Sequence, residues 1–309
     1  MGGDLPEQPS QPYANGAVSL GSVSYSYDAA GHIVGRGGTL FQSILPSAVS
    51  SATYDLANRL TARTVAGVTA SPTWDSGGNL TTDGIQTYTW DARNRLSGIS
   101  GAASFVYDAL NRRQSATRAG TTTSFLYDNW DVVQEQQSGS ASADLVSGLA
   151  VDERFSRGGS TILVDRLGST VALANGAGIS TTYGYDPYGV TQATGTASDN
   201  SFQFAGREND NTGLYSVRNR YYRPDWGRFI SEDPSGSAGG PNLYQYAGGS
   251  PIDMNDPTGL RETPPNNATP PPPPFPYIPP HWPPIPDWPG PPLPPPDVRP
   301  PPPANTPMS

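Results

Sequence analysis

Residues 90–112 read WDARNRLSGISGAASFVYDALNR, which is one pattern written twice. In each copy an aromatic-Asp pair is followed, three positions after the Asp, by Asn-Arg and then by alternating apolar and polar residues. The Asp can open a turn through its side-chain oxygen, and the Asn tolerates the positive φ that such a turn needs. Two strands of about 5 to 6 residues with their turns fill the spacing, so each copy is predicted to be one β-hairpin. Further pairs stand at Tyr27-Asp28, Tyr54-Asp55, Trp74-Asp75 and Tyr127-Asp128, in contexts such as YDAAGH, YDLANR and WDSGGN. A lone hairpin is marginally stable and its open edges seek another strand, so the hairpins are expected to join edge to edge. The recurring aromatic is expected to stack on its counterpart in the next hairpin. A sugar-binding ladder is the alternative use of such aromatics, and packing is the commoner one.

Composition limits the chemistry. The 309 residues carry 35 Gly, 35 Pro and only 35% hydrophobic residues, which suits short strands and turns rather than long helices. A net charge of -9 argues against nucleic acid as a partner, because no basic surface is present to displace counterions from phosphates. No apolar run approaches the length of a membrane span, and the N-terminus lacks the apolar stretch of a Sec signal. With no Cys there is neither a disulfide nor a thiol nucleophile. All 18 basic residues are Arg, and the two histidines, His32 and His281, stand apart from other candidate groups. No metal site and no cofactor is expected. What remains for catalysis is carboxylate chemistry.

From Ser160 the pattern changes. STILVDRLGSTVALANGAG predicts two apolar strands around Asp165 and Gly168. YGYDPYGV (183–190) and FQFAGRENDNTGLYSVRNRYYRPDWGRFISEDP (202–234) follow, and then residues 235–260 end in DMNDPTGL. The hairpin repeats over about residues 21–135 resemble the YD repeats of RHS and teneurin-type shells. The ordered motifs after Ser160 resemble the RHS repeat-associated core that closes such shells. The resemblance implies an all-β fold: an array of β-hairpins forming a partial spiral β-shell closed by the RHS-associated core. The chain then divides into a disordered segment 1–20, hairpins 21–140, the core 141–260 and a disordered polyproline tail 261–309.

The same resemblance implies a reaction. In that family the core ends in a self-cleaving aspartyl protease site, and the variable segment beyond the cut is the cargo of a polymorphic-toxin shell. Carried over by motif, the carboxylates are Asp233 and Asp256, with Arg220 as their companion, and the scissile bond is Leu260–Arg261. Two carboxylates that share a proton can activate water with one member and protonate the carbonyl oxygen with the other. A guanidinium beside them would hold one ionised. The same Asp-Pro-x-Gly elements are also ordinary turns: Asp turns back on the backbone, Pro presets φ and Gly closes. Asp186-Pro187-Tyr188-Gly189 shows that use in this chain.

Most of the prolines lie beyond Leu260, in runs expected to adopt polyproline II without a core of their own. Such a tail is either a stiff solvated extension or a ligand for an aromatic-lined groove. It has no composition from which a catalytic toxin could fold. About six repeats are too few to close a cavity, so self-association or pairing with another RHS chain through sheet edges is expected. Three readings stay open: an autoprocessing shell tip, a binding or adhesive surface protein with a carbohydrate or proline-motif partner, and an inactive displaced RHS tip. The resemblance implies secretion or display at the cell surface.

Overall fold

A computed structural model describes residues 11–15, 18–140, 142–150 and 152–264. These are almost wholly antiparallel β-structure, with three short 3-10 turns and no α-helix. Among them no helix is long and apolar enough to cross a membrane.

Each repeat begins with the turn that its Asp dictates. Asp108 Oδ1 accepts the N–H groups of Leu110 and Arg112 at 2.8 and 2.9 Å, and its carbonyl accepts that of Asn111. Asn111 takes φ +66°, and Arg112 folds back so that Nε donates to Asp108 Oδ2 at 2.8 Å. The same set recurs at Asp55, Asn58 and Arg59 and at Asp91, Asn94 and Arg95. The expected stacking of successive aromatics is not what joins one repeat to the next. Tyr107 lies 4.6 Å beneath the Arg95 guanidinium and donates its hydroxyl to the Leu96 carbonyl at 2.7 Å. Tyr127 does the same with Arg112 and the Arg113 carbonyl, and Trp90 and Trp74 donate to Leu80 and Leu60. An Arg already fixed on its turn Asp presents a flat cation to the ring, and the neighbouring strand carbonyl needs a donor.

The hairpins form several sheets. Gln11–Asn15, Val18–Tyr27 and Ile33–Gly37 make one, Val49–Tyr54, Leu60–Val65 and Val68–Ala70 a second, and Thr73–Trp74 and Leu80–Thr82 a third. A twelve-stranded sheet then runs in chain order from Tyr88–Trp90 to Thr191–Gly195. It is continuous across residue 141, where Gln134 pairs with Asp144 beyond it, so repeats and core share one sheet. The two apolar strands expected near Asp165 are Ser160–Val164 and Thr170–Asn175. The first hairpin departs from the expected array. Val23 and Leu40 pack on Leu163, Val171 and Ala172, and the Tyr13 hydroxyl donates to the Val164 carbonyl. Residues 11–15 and 18–20 therefore lie in strands rather than in a disordered segment, because the core strands supply a partner far along the chain. The remainder of that segment, residues 1–10 and 16–17, and residues 265–309 of the polyproline tail lie outside the described residues.

A four-stranded sheet, Glu208–Asn209, Tyr215–Val217, Arg220–Arg223 and Arg228–Phe229, is buried on both faces. Tyr215, Val217, Tyr222 and Phe229 enter one apolar cluster with Ile162, Leu173 and Tyr185. Leu214, Tyr221 and Ile230 enter another, with Leu80, Leu96, Phe105 and Ala116. Period-2 alternation therefore sends neighbouring tyrosines into opposite cores. The strand that opens with Arg220 is held between them.

Candidate active site

Arg220 begins its strand 3% exposed, on the face it shares with Tyr222. Its guanidinium lies 3.6 Å over the Phe229 ring. One nitrogen, Nη2, meets both candidate carboxylates: Asp233 Oδ2 at 2.9 Å and Asp256 Oδ2 at 3.3 Å. Nη1 donates to the Leu243 carbonyl at 2.9 Å, and Nε donates to the Gly259 carbonyl. Burying a guanidinium is costly unless its donors are satisfied, and here two carboxylates and two carbonyls satisfy them.

Asp233 heads the turn expected of Asp-Pro-x-Gly. Its carbonyl accepts the Gly236 N–H at 2.9 Å, and Oδ1 accepts the N–H of Ser235 at 2.8 Å and its hydroxyl. Oδ2 is left for Arg220. Burial pushes the Asp233 carboxyl above the ordinary carboxylate range; Arg220 and Ser235 oppose that rise, and Asp256 adds to it. Burial also pulls Arg220 below its usual value, against the two carboxylates.

Asp256 caps a different turn. Oδ1 accepts the N–H groups of Gly259 at 2.8 Å, Leu260 at 3.1 Å and Arg261 at 3.1 Å. The candidate bond, Leu260–Arg261, is thus wrapped over this carboxylate. Asn255 and Thr263 exchange two backbone hydrogen bonds, 3.0 and 2.8 Å, and close the loop at its base. Gly259 takes φ +73°, and a Cβ there would lie 2.4 Å from the Val217 carbonyl oxygen, so only glycine fits. Gly239 borders the site from the other side. A Cβ on it would lie 2.5 Å from Asp233 Oδ2 and 2.8 Å from the Leu260 carbonyl oxygen. Ser235 Oγ stands 3.5 Å from that same carbonyl oxygen.

All five residues singled out in the sequence, Arg220, Asp233, Asp256, Leu260 and Arg261, therefore meet in one place. Ser235 and Gly239 were not singled out. Ser235 lies inside the Asp-Pro-x-Gly motif and was legible there, whereas Gly239 is one glycine in a run of small residues and carries no local signal. Among the described residues no group of three or more His, Asp or Glu is placed to hold a metal.

Fold and site together define a class: a β-hairpin shell segment whose closing core presents a buried carboxylate pair. No family model matches the chain. It is 28% identical over 267 residues to the tRNA3(Ser)-specific nuclease WapA of Bacillus spizizenii, covering 77% of this chain and 11% of that protein. It is also 28% identical over 299 residues to the double-stranded DNA deaminase toxin A of Burkholderia cenocepacia, covering 78% and 21%. Among solved structures, the Tc holotoxin pore of Photorhabdus luminescens superposes with a TM-score of 0.53 at 20% identity, over 78% of this chain and 15% of that one. The chain thus spans about a tenth to a fifth of these relatives. These relatives are RHS-type toxin-shell proteins, and the likeness of this chain to them is consistent with an RHS-type C-terminal domain.

Proposed function

We propose that the chain is the closing part of an RHS-type shell that cuts its own backbone between Leu260 and Arg261 and frees the segment beyond. The observation that carries this reading is the single Arg220 nitrogen shared by two buried carboxylates, beside a loop that wraps the Leu260–Arg261 bond over one of them.

Roles follow from the neighbours of each carboxyl group. Asp233, pushed up by burial and bonded to the Ser235 hydroxyl that stands 3.5 Å from the Leu260 carbonyl oxygen, carries the proton and gives it to that oxygen as water attacks. Asp256, which accepts three backbone N–H bonds from the loop carrying the scissile bond, is the base that takes the water proton. The water oxygen bonds to the Leu260 carbonyl carbon. The C–N bond then breaks as Asp256 returns its proton to the Arg261 nitrogen and Asp233 takes back the proton it gave to the former carbonyl oxygen, leaving a carboxyl at Leu260, a free amine at Arg261 and both aspartates as they began. Arg220 holds the pair and, through the Gly259 carbonyl, the loop.

The test is an intact-mass time course of the purified chain. Loss of the mass following Leu260, abolished by Asp233→Asn, supports the reading; wild-type chain that stays intact on prolonged incubation rejects it.

A second reading, ligand capture without chemistry, is favoured by one feature. A surface cavity of about 300 Å³ is bordered by Tyr54, Tyr188 and Trp226 with the amides of Asn58, Asn242 and Gln245, a lining suited to a neutral saccharide. Glycan-array binding that is lost on Trp226→Ala supports it, and an array with no bound glycan removes it.

A further inference from the structure

We propose that Asp152, Arg207 and Arg218 are positioning residues that set which bond of the loop lies over the carboxylates; this rests on the cleavage reading above. The starting point is a match between two stretches of backbone. The consecutive side chains Arg218, Asn219 and Arg220 donate to the consecutive carbonyls of Pro257, Thr258 and Gly259. The Asn219 N–H also reaches the Thr258 carbonyl at 3.2 Å. Arg220 alone would hold the loop at one point. The three together form a ruler that counts residues up to Leu260.

The ruler is anchored at its far end. Arg207 Nη1 joins Arg218 on the Pro257 carbonyl at 3.1 Å. Both guanidinia converge on Asp152: Arg218 donates to its two oxygens at 3.1 and 2.8 Å, and Arg207 pairs with Oδ2. Arg154 stands 3.5 Å from the same carboxylate. Asp152 belongs to the large sheet, in the turn before Arg154–Arg157, and is 66 residues from Arg218. The register of the loop is therefore referred to the sheet rather than to the loop's own neighbours.

Two backbone features support a role beyond packing. Arg218 adopts φ +47° and Asp152 φ +61°, a left-handed conformation that bulky side chains rarely take. Such strain persists where the surroundings over-determine it, and it clusters at functional sites. The cavity beside these residues, bounded also by Tyr127 and Phe202, has room for water but not for a ligand, about 40 Å³. A substrate or anion site is thus the poorer account of so many arginines.

A positioning role makes a prediction that simple stabilisation does not. Asp152→Asn keeps the shape but frees Arg207 and Arg218, so the loop should slip by a residue. Intact-mass time courses of wild type and Asp152→Asn, each with a thermal melt, read this directly. The expected result is cleavage slowed about tenfold or more, with part of the product offset by one residue, and recovery of the single cut in Asp152→Glu. Arg218→Lys, which keeps charge at the Pro257 carbonyl, serves as the second variant if Asp152→Asn does not fold, with the same offset products expected. Wild type cut at Leu260 with the folded variant cut at the same bond and rate overturns this inference alone. Slower cleavage without offset products also overturns it, since that is what mere destabilisation would give. Wild type that stays intact overturns the cleavage reading and this inference with it.

Discussion

Asp108 and Asp256 both cap a tight turn, and the difference between them separates scaffold from site. Asp108 takes the N–H groups two and four residues ahead, and its other oxygen takes an arginine four residues ahead. Everything it needs is local. Asp256 takes the N–H groups three, four and five residues ahead, and its other oxygen faces an arginine 36 residues behind it. That distant arginine already holds a second carboxylate. Although burial opposes it, Arg112 and the local N–H groups keep Asp108 below the usual carboxylate range. Asp233, at the other end of the Arg220 bridge, is driven the opposite way. The same residue type is therefore a structural cap where its cation is its own, and the reactive group of the proposed cleavage where one buried cation is divided between two carboxylates.

The strongest way to break this comparison is Asp256→Asn. Asparagine keeps Oδ1 for the three N–H groups but loses the charge, so the fold should survive while cleavage disappears in the mass assay. Arg220→Met comes next. It leaves two carboxylates buried without their cation and two carbonyls without donors, and should destabilise by about 3–5 kcal/mol in urea unfolding. Gly239→Ala is smaller still. Its methyl would press on Asp233 Oδ2 and the Leu260 carbonyl oxygen, and should slow cleavage about 10- to 100-fold while stability changes by about 1–3 kcal/mol.

The two classes of aspartate also oppose each other in pH. Asp91 and Asp108 are held low, so the stability they add is present above their unfolded value of about 3.9 and is lost as pH falls through their lower folded values. Asp233 is held high, so its contribution is full below that unfolded value and is lost as pH rises through the higher folded one. The proposed cleavage draws on the Asp233 proton, so its rate should decline with rising pH over that same upper window. A rate flat across it would show that Asp233 is not the acid.

What was legible in the sequence follows the same division. The repeat turns were readable because Asp, Asn and Arg fall within four residues, and the site residues because their motifs stand in a recognisable order. The docking of Tyr107 and Tyr127 on the preceding repeat's arginine was missed, although the spacing that permits it is local. The seating of the first hairpin on residues 160–185 depends on contacts some 140 residues apart, such as Tyr25 Oη with the Arg166 N–H, which no local pattern records. Asp152 was invisible for the same reason: its turn carries no Asn-Arg after it, and its arginines come from a turn inside the four-stranded sheet, Arg218, and from the residue just before that sheet, Arg207.

The mildest test makes the same substitution in the ordinary turn. Asp108→Asn retains the oxygen for Leu110 and Arg112 and gives up only a partly solvated ion pair with Arg112. Solvent screening leaves such a pair worth about 0.5 kcal/mol or less. Urea unfolding should hardly move, and the cleavage rate should match wild type. Paired with Asp256→Asn, this holds the chemistry of the change constant and varies only the surroundings. If both variants lost cleavage, the Asp256 turn would be acting through the fold like any other repeat turn, and its special geometry would carry no catalytic meaning. A loss confined to Asp256 would tie the reaction to the shared arginine, which Asp108 lacks.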